Sequence, residues 1–155
     1  MNQKASARPS QGYTRHVFSP PAIGAFVETV HVVSPQDTAD SQENRGVLSL
    51  ASPVLLLWFE QAAVEFWKDR RDEDDFLLGV NFQFRHLAPS PVGSTVRTRL
   101  TLSAADGPRM TYAIDAWDEA GRIADGSYQT FFMTRKDFEE RRRRRFAPDG
   151  PPQTR

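Results

Sequence analysis

The sequence predicts an α+β fold in which a curled antiparallel β-sheet wraps around one long central helix. Two observations carry this prediction. Ser52 to Trp67, SPVLLLWFEQAAVEFW, reads as a single helix whose early part, Val54 to Phe59, is apolar on every side. That pattern marks a helix enclosed by protein and not merely resting on it. The second half of the chain then alternates polar and apolar residues over four successive segments, the period of half-buried strands. One helix covers such a sheet only if the sheet curls round it. The expected order is strand, helix, four antiparallel strands joined locally as a meander, and a short C-terminal helix.

Composition bounds the rest. A chain of 155 residues fits one domain with enough core to fold alone. It has no cysteine, which excludes a disulfide framework, thiolate chemistry and cysteine-ligated zinc. The formal net charge is zero, which argues against a polyanion-binding role for the chain as a whole. No apolar run approaches the roughly 20 residues needed to span a bilayer. The N-terminal segment, MNQKASARPSQGYTRHVFSPP, lacks the apolar stretch of a signal peptide. The reading is a soluble, cytoplasmic protein without a membrane partner.

Taken in order, residues 1–24 mix Gln, Ser, Pro and Arg and are expected to form a flexible arm. The domain proper spans 25–138, and 139–155 form a charged helix end and tail. Ala25 to Val33 is β-branched and aromatic, a strand. Ser34 to Arg45 is a polar loop. Ser52 suits the N-cap of the long helix and Pro53 its first position. The charged run Lys68 to Asp75 reads as a solvated helix end and loop. Leu77 to His86 is a strand with Leu78, Val80, Phe82 and Phe84 on one face, His86 in step with them, and Asn81, Gln83 and Arg85 on the other.

Leu87 to Gly93 is a turn region. Ser94 to Ser103 and Arg109 to Trp117 are strands joined by a hairpin signal, Ala105-Asp106-Gly107-Pro108. Arg122 to Thr134 is the last strand, with an expected bulge at Gly126. Lys136 to Arg145 is a charged helix ending in five consecutive arginines. That run lacks interleaved aromatics and a glycine-rich context, which argues against nucleic acid.

Few polar residues are placed against this core. Glu60 interrupts the apolar helix, flanked a turn away by Leu56, Leu57, Ala63 and Val64, so it is expected to be desolvated and to need a partner or a task. Of three histidines, His16 falls in the arm and His31 reads as structural or surface. His86 is in step towards the helix. A lone histidine there is more often a satisfied core residue than a catalyst; beside a buried glutamate it becomes a carboxylate–imidazole pair. Three scattered histidines offer no metal-ligand set, so neither a metal nor a separate cofactor is expected.

The segments VLSLASPVLLLWFEQAA, LLGVNFQFRHLAPSPVGSTVRTRLTL and MTYAIDAWDEAGRIADGSYQTFF resemble the hotdog-fold acyl-CoA thioesterases, above all the fluoroacetyl-CoA thioesterase-like branch. The resemblance covers about Ala25 to Thr134. It rests on a hydroxyl residue opening the helix, Ser52, a glutamate eight residues on, Glu60, and the segment His86-Leu87-Ala88-Pro89-Ser90-Pro91-Val92-Gly93. There are departures. Serine replaces the branch's usual threonine. Gly126-Ser127-Tyr128-Gln129-Thr130 replaces its G-T-H-E-R, so a histidine and an arginine are missing. Its aromatic lid residue has no match near Gly46, and fluoroacetyl specificity is not expected.

The resemblance implies a hotdog fold and hydrolysis of an acyl thioester carried on CoA or on an acyl-carrier protein, with CoA as part of the substrate. It implies Ser52, Glu60, His86 and the amide of Gly79 as catalytic groups. Outward Arg85, Arg97, Arg99 and Arg109 are candidates to meet CoA phosphates or an acidic carrier protein, with a solvated strand face as the alternative reading of each, and Phe82 and Pro89 are further candidate substrate contacts. The resemblance also implies a homodimer or dimer of dimers. A hydratase or dehydratase on the acyl chain, and a non-catalytic acyl-thioester or protein-binding module, are the alternatives that the fold leaves open.

Overall fold

The structure, a computed structural model, describes residues 20–147. The expected arm over 1–19, His16 and the tail from 148 lie outside the described residues. The elements are β1 (Phe26–Val32), α1 (Ser52–Trp67), β2 (Asp75–His86), β3 (Thr95–Asp106), β4 (Arg109–Asp118), β5 (Gly121–Thr134) and α2 (Arg135–Arg145). Two short 3-10 turns, Pro35–Asp37 and Asp40–Gln42, punctuate the expected loop between β1 and α1.

The sheet has five strands in the order β1-β3-β4-β5-β2, every neighbour antiparallel. The expected meander holds for β3-β4-β5 and fails for β2, which pairs with β5 and not with β3. The reason is the segment 87–94. Leu87 N–H donates to Ile123, Ser90 Oγ donates to Asp118 at 2.7 Å, and Gly93 N–H donates to Val33. These bonds carry the chain across the end of the sheet from β5 to the β1 side. Pro89 and Pro91 add no donors there, which disfavours a tight hairpin.

The core lies between the concave sheet face and α1. Leu55, Trp58, Phe59, Ala62, Ala63, Phe66 and Trp67 of the helix meet Val96, Leu100, Leu102, Met110, Tyr112, Ile114, Ile123 and Tyr128 of the strands. Each large apolar side chain so buried contributes about 1.5–3 kcal/mol. Trp67 Nε1 donates to Tyr112 Oη at 2.7 Å, so the indole is satisfied inside the core. Phe66, Trp67 and Phe132 are core residues packed edge to face.

The sheet covers only one side of α1. Leu57 and Val64 remain 49% and 42% exposed, so the helix is not enclosed all round within one chain. The strand faces also depart from expectation. A register shift between Gly79 and Asn81 leaves Val80 as an extra residue in β2. Leu77 therefore packs against the core, Leu78 pairs with outward Phe131, and Phe82, Phe84 and His86 return to the inner face. The bulge expected around Gly126 falls at Ile123, where the register of β5 against β4 shifts by one residue. Gly126 itself pairs in register with Phe84 and Ile114, and a Cβ there would fall 2.6 Å from the Phe84 Cα. Glycine at 126 permits a close approach of two strands.

Candidate active site

β2 delivers His86 beside the first turn of α1. Ser52 Oγ and His86 Nδ1 are 2.8 Å apart. The N-cap is Ala51 and not Ser52, whose side chain makes no capping bond. The Ser52 hydroxyl is engaged by the imidazole instead of by helix amides. Nε2 of His86 is buried and has no hydrogen-bond partner. Burial pushes the His86 imidazole below the ordinary histidine value, with the Ala88 backbone opposing. A neutral imidazole with one nitrogen fixed and the other uncommitted can take or give a proton once a reacting group reaches it.

Glu60 lies two turns further along α1, about 12 Å by helical rise. It falls on the same open face as Leu57 and Val64, so in the single chain it is exposed and not buried as expected. Its surroundings are nonetheless specific. A Cβ built on Gly79 would lie 3.0 Å from Glu60 Oε1 and 2.7 Å from Tyr128 Oη. Carboxylate and phenol thus converge over the Gly79 backbone. Burial raises the Tyr128 phenol well above its ordinary value, and the charge of Glu60, the neighbouring Tyr112 and a hydrogen bond to Glu60 add to the rise.

Ser52 is therefore brought to His86, and Glu60 to Gly79, but the two pairs stay apart. Glu60 is not among the hydrogen-bond partners of His86 within the chain. Phe82 does face the site, its ring stacked on Tyr128 at 3.8 Å and 10°. Pro89 is exposed in the crossover beyond His86.

Arg85 and Arg97 point from the outer sheet face. Arg85 forms a two-pronged ion pair with Asp125, and Arg97 pairs with Glu28 and covers the Trp117 ring. Arg99 shares Glu28, and Arg109 lies over Phe131. The structure does not bring these cations to Ser52, His86 or Glu60. His31 is structural: it stacks on Trp58 at 4.3 Å and shares a hydrogen bond with Thr29 Oγ1. Among the described residues no cluster of His, Asp and Glu could hold a metal ion. Also among them, no helix is long and apolar enough to cross a membrane.

Sequence reasoning passed over Tyr128. Its signal was the replaced histidine of the last strand and the step of that strand's alternation, which turns Tyr128 inward with Ala124 and Thr130.

The family model for fluoroacetyl-CoA-specific thioesterase matches residues 33–136. The chain belongs to this family. It is an acyl-thioester hydrolase, and the match spans both the Ser52–His86 pair and Glu60. No curated protein sequence matches it. Among solved structures, a hot-dog-like protein from Thermanaerovibrio acidaminovorans is 25% identical, with a TM-score of 0.75 over 84% of this chain and 94% of that one. A variant of the fluoroacetyl-CoA-specific thioesterase FlK is 20% identical, with a TM-score of 0.75 over 82% and 98%. A thioesterase superfamily member from Thermus thermophilus is 22% identical, with a TM-score of 0.74 over 82% and 94%. These likenesses establish the hotdog fold, and the family model adds the thioesterase class.

Proposed function

We propose that this hydrolase cleaves acyl-CoA or acyl-carrier-protein thioesters in a site shared by two copies of the chain. The observation that carries the reading is the separation of two half-sites. One holds Ser52 and an imidazole with a buried, uncommitted nitrogen; the other holds Glu60 over Gly79. β2 is an edge strand paired on one side only, and exposed Val80, Leu57 and Val64 lie beside it. Such an edge calls for a partner strand. Antiparallel pairing of β2 with its copy about a two-fold axis at Gln83 sets the partner's His86 opposite the Val80 bulge, next to Gly79 and Glu60. Inward faces then match inward faces, as antiparallel pairing requires.

In this site Glu60 takes the proton of a water that attacks the carbonyl, or attacks the carbonyl itself to give a mixed anhydride that water then opens. The Gly79 amide polarises the carbonyl oxygen. The imidazole, oriented by Ser52, protonates the departing thiolate. FlK variants in complex with CoA and fluoroacetate, and with acetyl-CoA, support a CoA thioester as the substrate class.

The test is free-thiol release from short, long and aromatic acyl-CoAs by the wild type and by Glu60→Gln. Wild-type release that falls about a hundredfold or more in the variant supports the reading. Turnover of the acyl chain without thiol would indicate a hydratase, and full activity of a folded Glu60→Gln dimer would overturn the mechanism.

A further inference from the structure

We infer that Tyr128 is the positioning residue of Glu60: its phenol donates a hydrogen bond to the carboxylate and fixes where that carboxylate stands over Gly79. The inference rests on the reading of Glu60 as the reacting carboxylate.

Three features of the geometry converge on it. The Tyr128 ring is 1% exposed and stacked on Phe82, so it has little freedom to turn away. Its hydroxyl and Glu60 Oε1 approach the same point above Gly79, where any side chain would strike both. The other phenol in the cluster is already committed. Tyr112 Oη accepts from Trp67 and shares a bond with Thr130, and its ring lies 5.9 Å from that of Tyr128. Glu60 is the acceptor that the Tyr128 hydroxyl faces.

A long, exposed glutamate on an open helix face would otherwise sample many rotamers. A single donor on a rigid ring selects one of them, and a base or nucleophile works only from a narrow range of positions. The bond also leaves the second carboxylate oxygen free, because a phenol has one proton to give. Gly79 then has a double task in this chain. Its missing Cβ makes room for the phenol, and its backbone is the floor on which phenol and carboxylate meet. The residue that stands where the family's usual segment has a histidine thus retains a donor, in a form that does not titrate near neutrality.

The test combines Tyr128→Phe, which keeps the ring and its stack on Phe82, with Glu60→Gln and the double variant. Tyr128→Phe is expected to lower kcat about tenfold to a hundredfold, the scale of a hydrogen bond to a charged group, with KM held within about threefold. In the Glu60→Gln background the same change is expected to cost nothing further, since it acts through Glu60. Tyr128→His, which restores a donor, should recover part of the rate. Unchanged kcat in Tyr128→Phe, or losses that add in the double variant, would overturn the inference.

A second readout does not depend on turnover. The infrared C–O stretch of the Tyr128 phenol, assigned by its disappearance in Tyr128→Phe, should move in Glu60→Ala. A band that stays in place shows that the two groups are not bonded. If the wild type released no thiol from any thioester, the thioesterase reading would fall, and the infrared band alone would still decide whether Tyr128 holds Glu60.

Discussion

Replacing Ser52 by alanine removes the hydrogen-bond partner of His86 Nδ1, 2.8 Å away. Nε2 is already buried without a partner, so the Ala88 backbone alone would then be left to hold the ring. Leaving a buried polar group unpaired costs about 1–3 kcal/mol. For a domain of this size each kcal/mol lowers Tm by roughly 2–4 °C, so the expected loss is roughly 2–12 °C. The imidazole also gains freedom to rotate, and kcat is expected to fall about tenfold, less than for loss of the imidazole itself. Ser52→Thr keeps the hydroxyl and should keep most of both quantities. Thermal unfolding, thiol release and the imidazole nitrogen chemical shifts of His86 follow the three effects. Unchanged Tm together with unchanged His86 shifts in Ser52→Ala would refute the hydrogen bond and the positioning argument built on it.

Burial holds both His31 and His86 below the ordinary histidine value. The unfolded chain therefore takes up protons before the folded one does. Their contribution to stability is present in full above the unfolded value of about 6.5 and is lost as pH falls through the lower folded values. Urea midpoints measured downward from neutrality should fall, and less steeply in His86→Asn; a flat profile would contradict this. Gly126→Ala places a Cβ 2.6 Å from the Phe84 Cα, so one strand must shift. A loss of about 1–3 kcal/mol is expected by thermal unfolding, and an unchanged Tm would contradict the β2–β5 register.

The helix and all five strands were legible because their signals are local. Ser52 to Trp67 carries its own proline and apolar run, and β3 and β4 carry a period of two around a Gly-Pro turn. The position of β2 at the sheet edge was not legible, because it depends on bonds from Leu87, Ser90 and Gly93 to residues distant in sequence. The bulge at Val80 is hidden for the same reason: Leu78, Val80, Phe82 and Phe84 alternate well in sequence, and only pairing with β5 reveals the extra residue. The site was half legible. Glu60 and His86 stood out as polar residues set against the core, and the resemblance joined them to Ser52, but neither says whether two groups meet within one chain or across two. The environment of Glu60 was misjudged because its apolar flanks, Leu57 and Val64, are an open face and not a core. Tyr128 was missed because one inward tyrosine in a strand looks like packing until the phenol is seen beside a carboxylate.

The most direct test of the shared site is subunit complementation. Glu60→Gln and His86→Ala are each purified, mixed in equal amounts, dissociated and reassociated, and assayed for thiol release. If the partner's His86 completes the Glu60 site, a mixed dimer holds one intact site and one site lacking both groups. Random pairing makes half of the dimers mixed, so about a quarter of the wild-type rate should return from two nearly inactive parents. If mixing leaves the rate at the level of the parents while mixed dimers are shown to form, the site lies within one chain and the two-copy account is wrong.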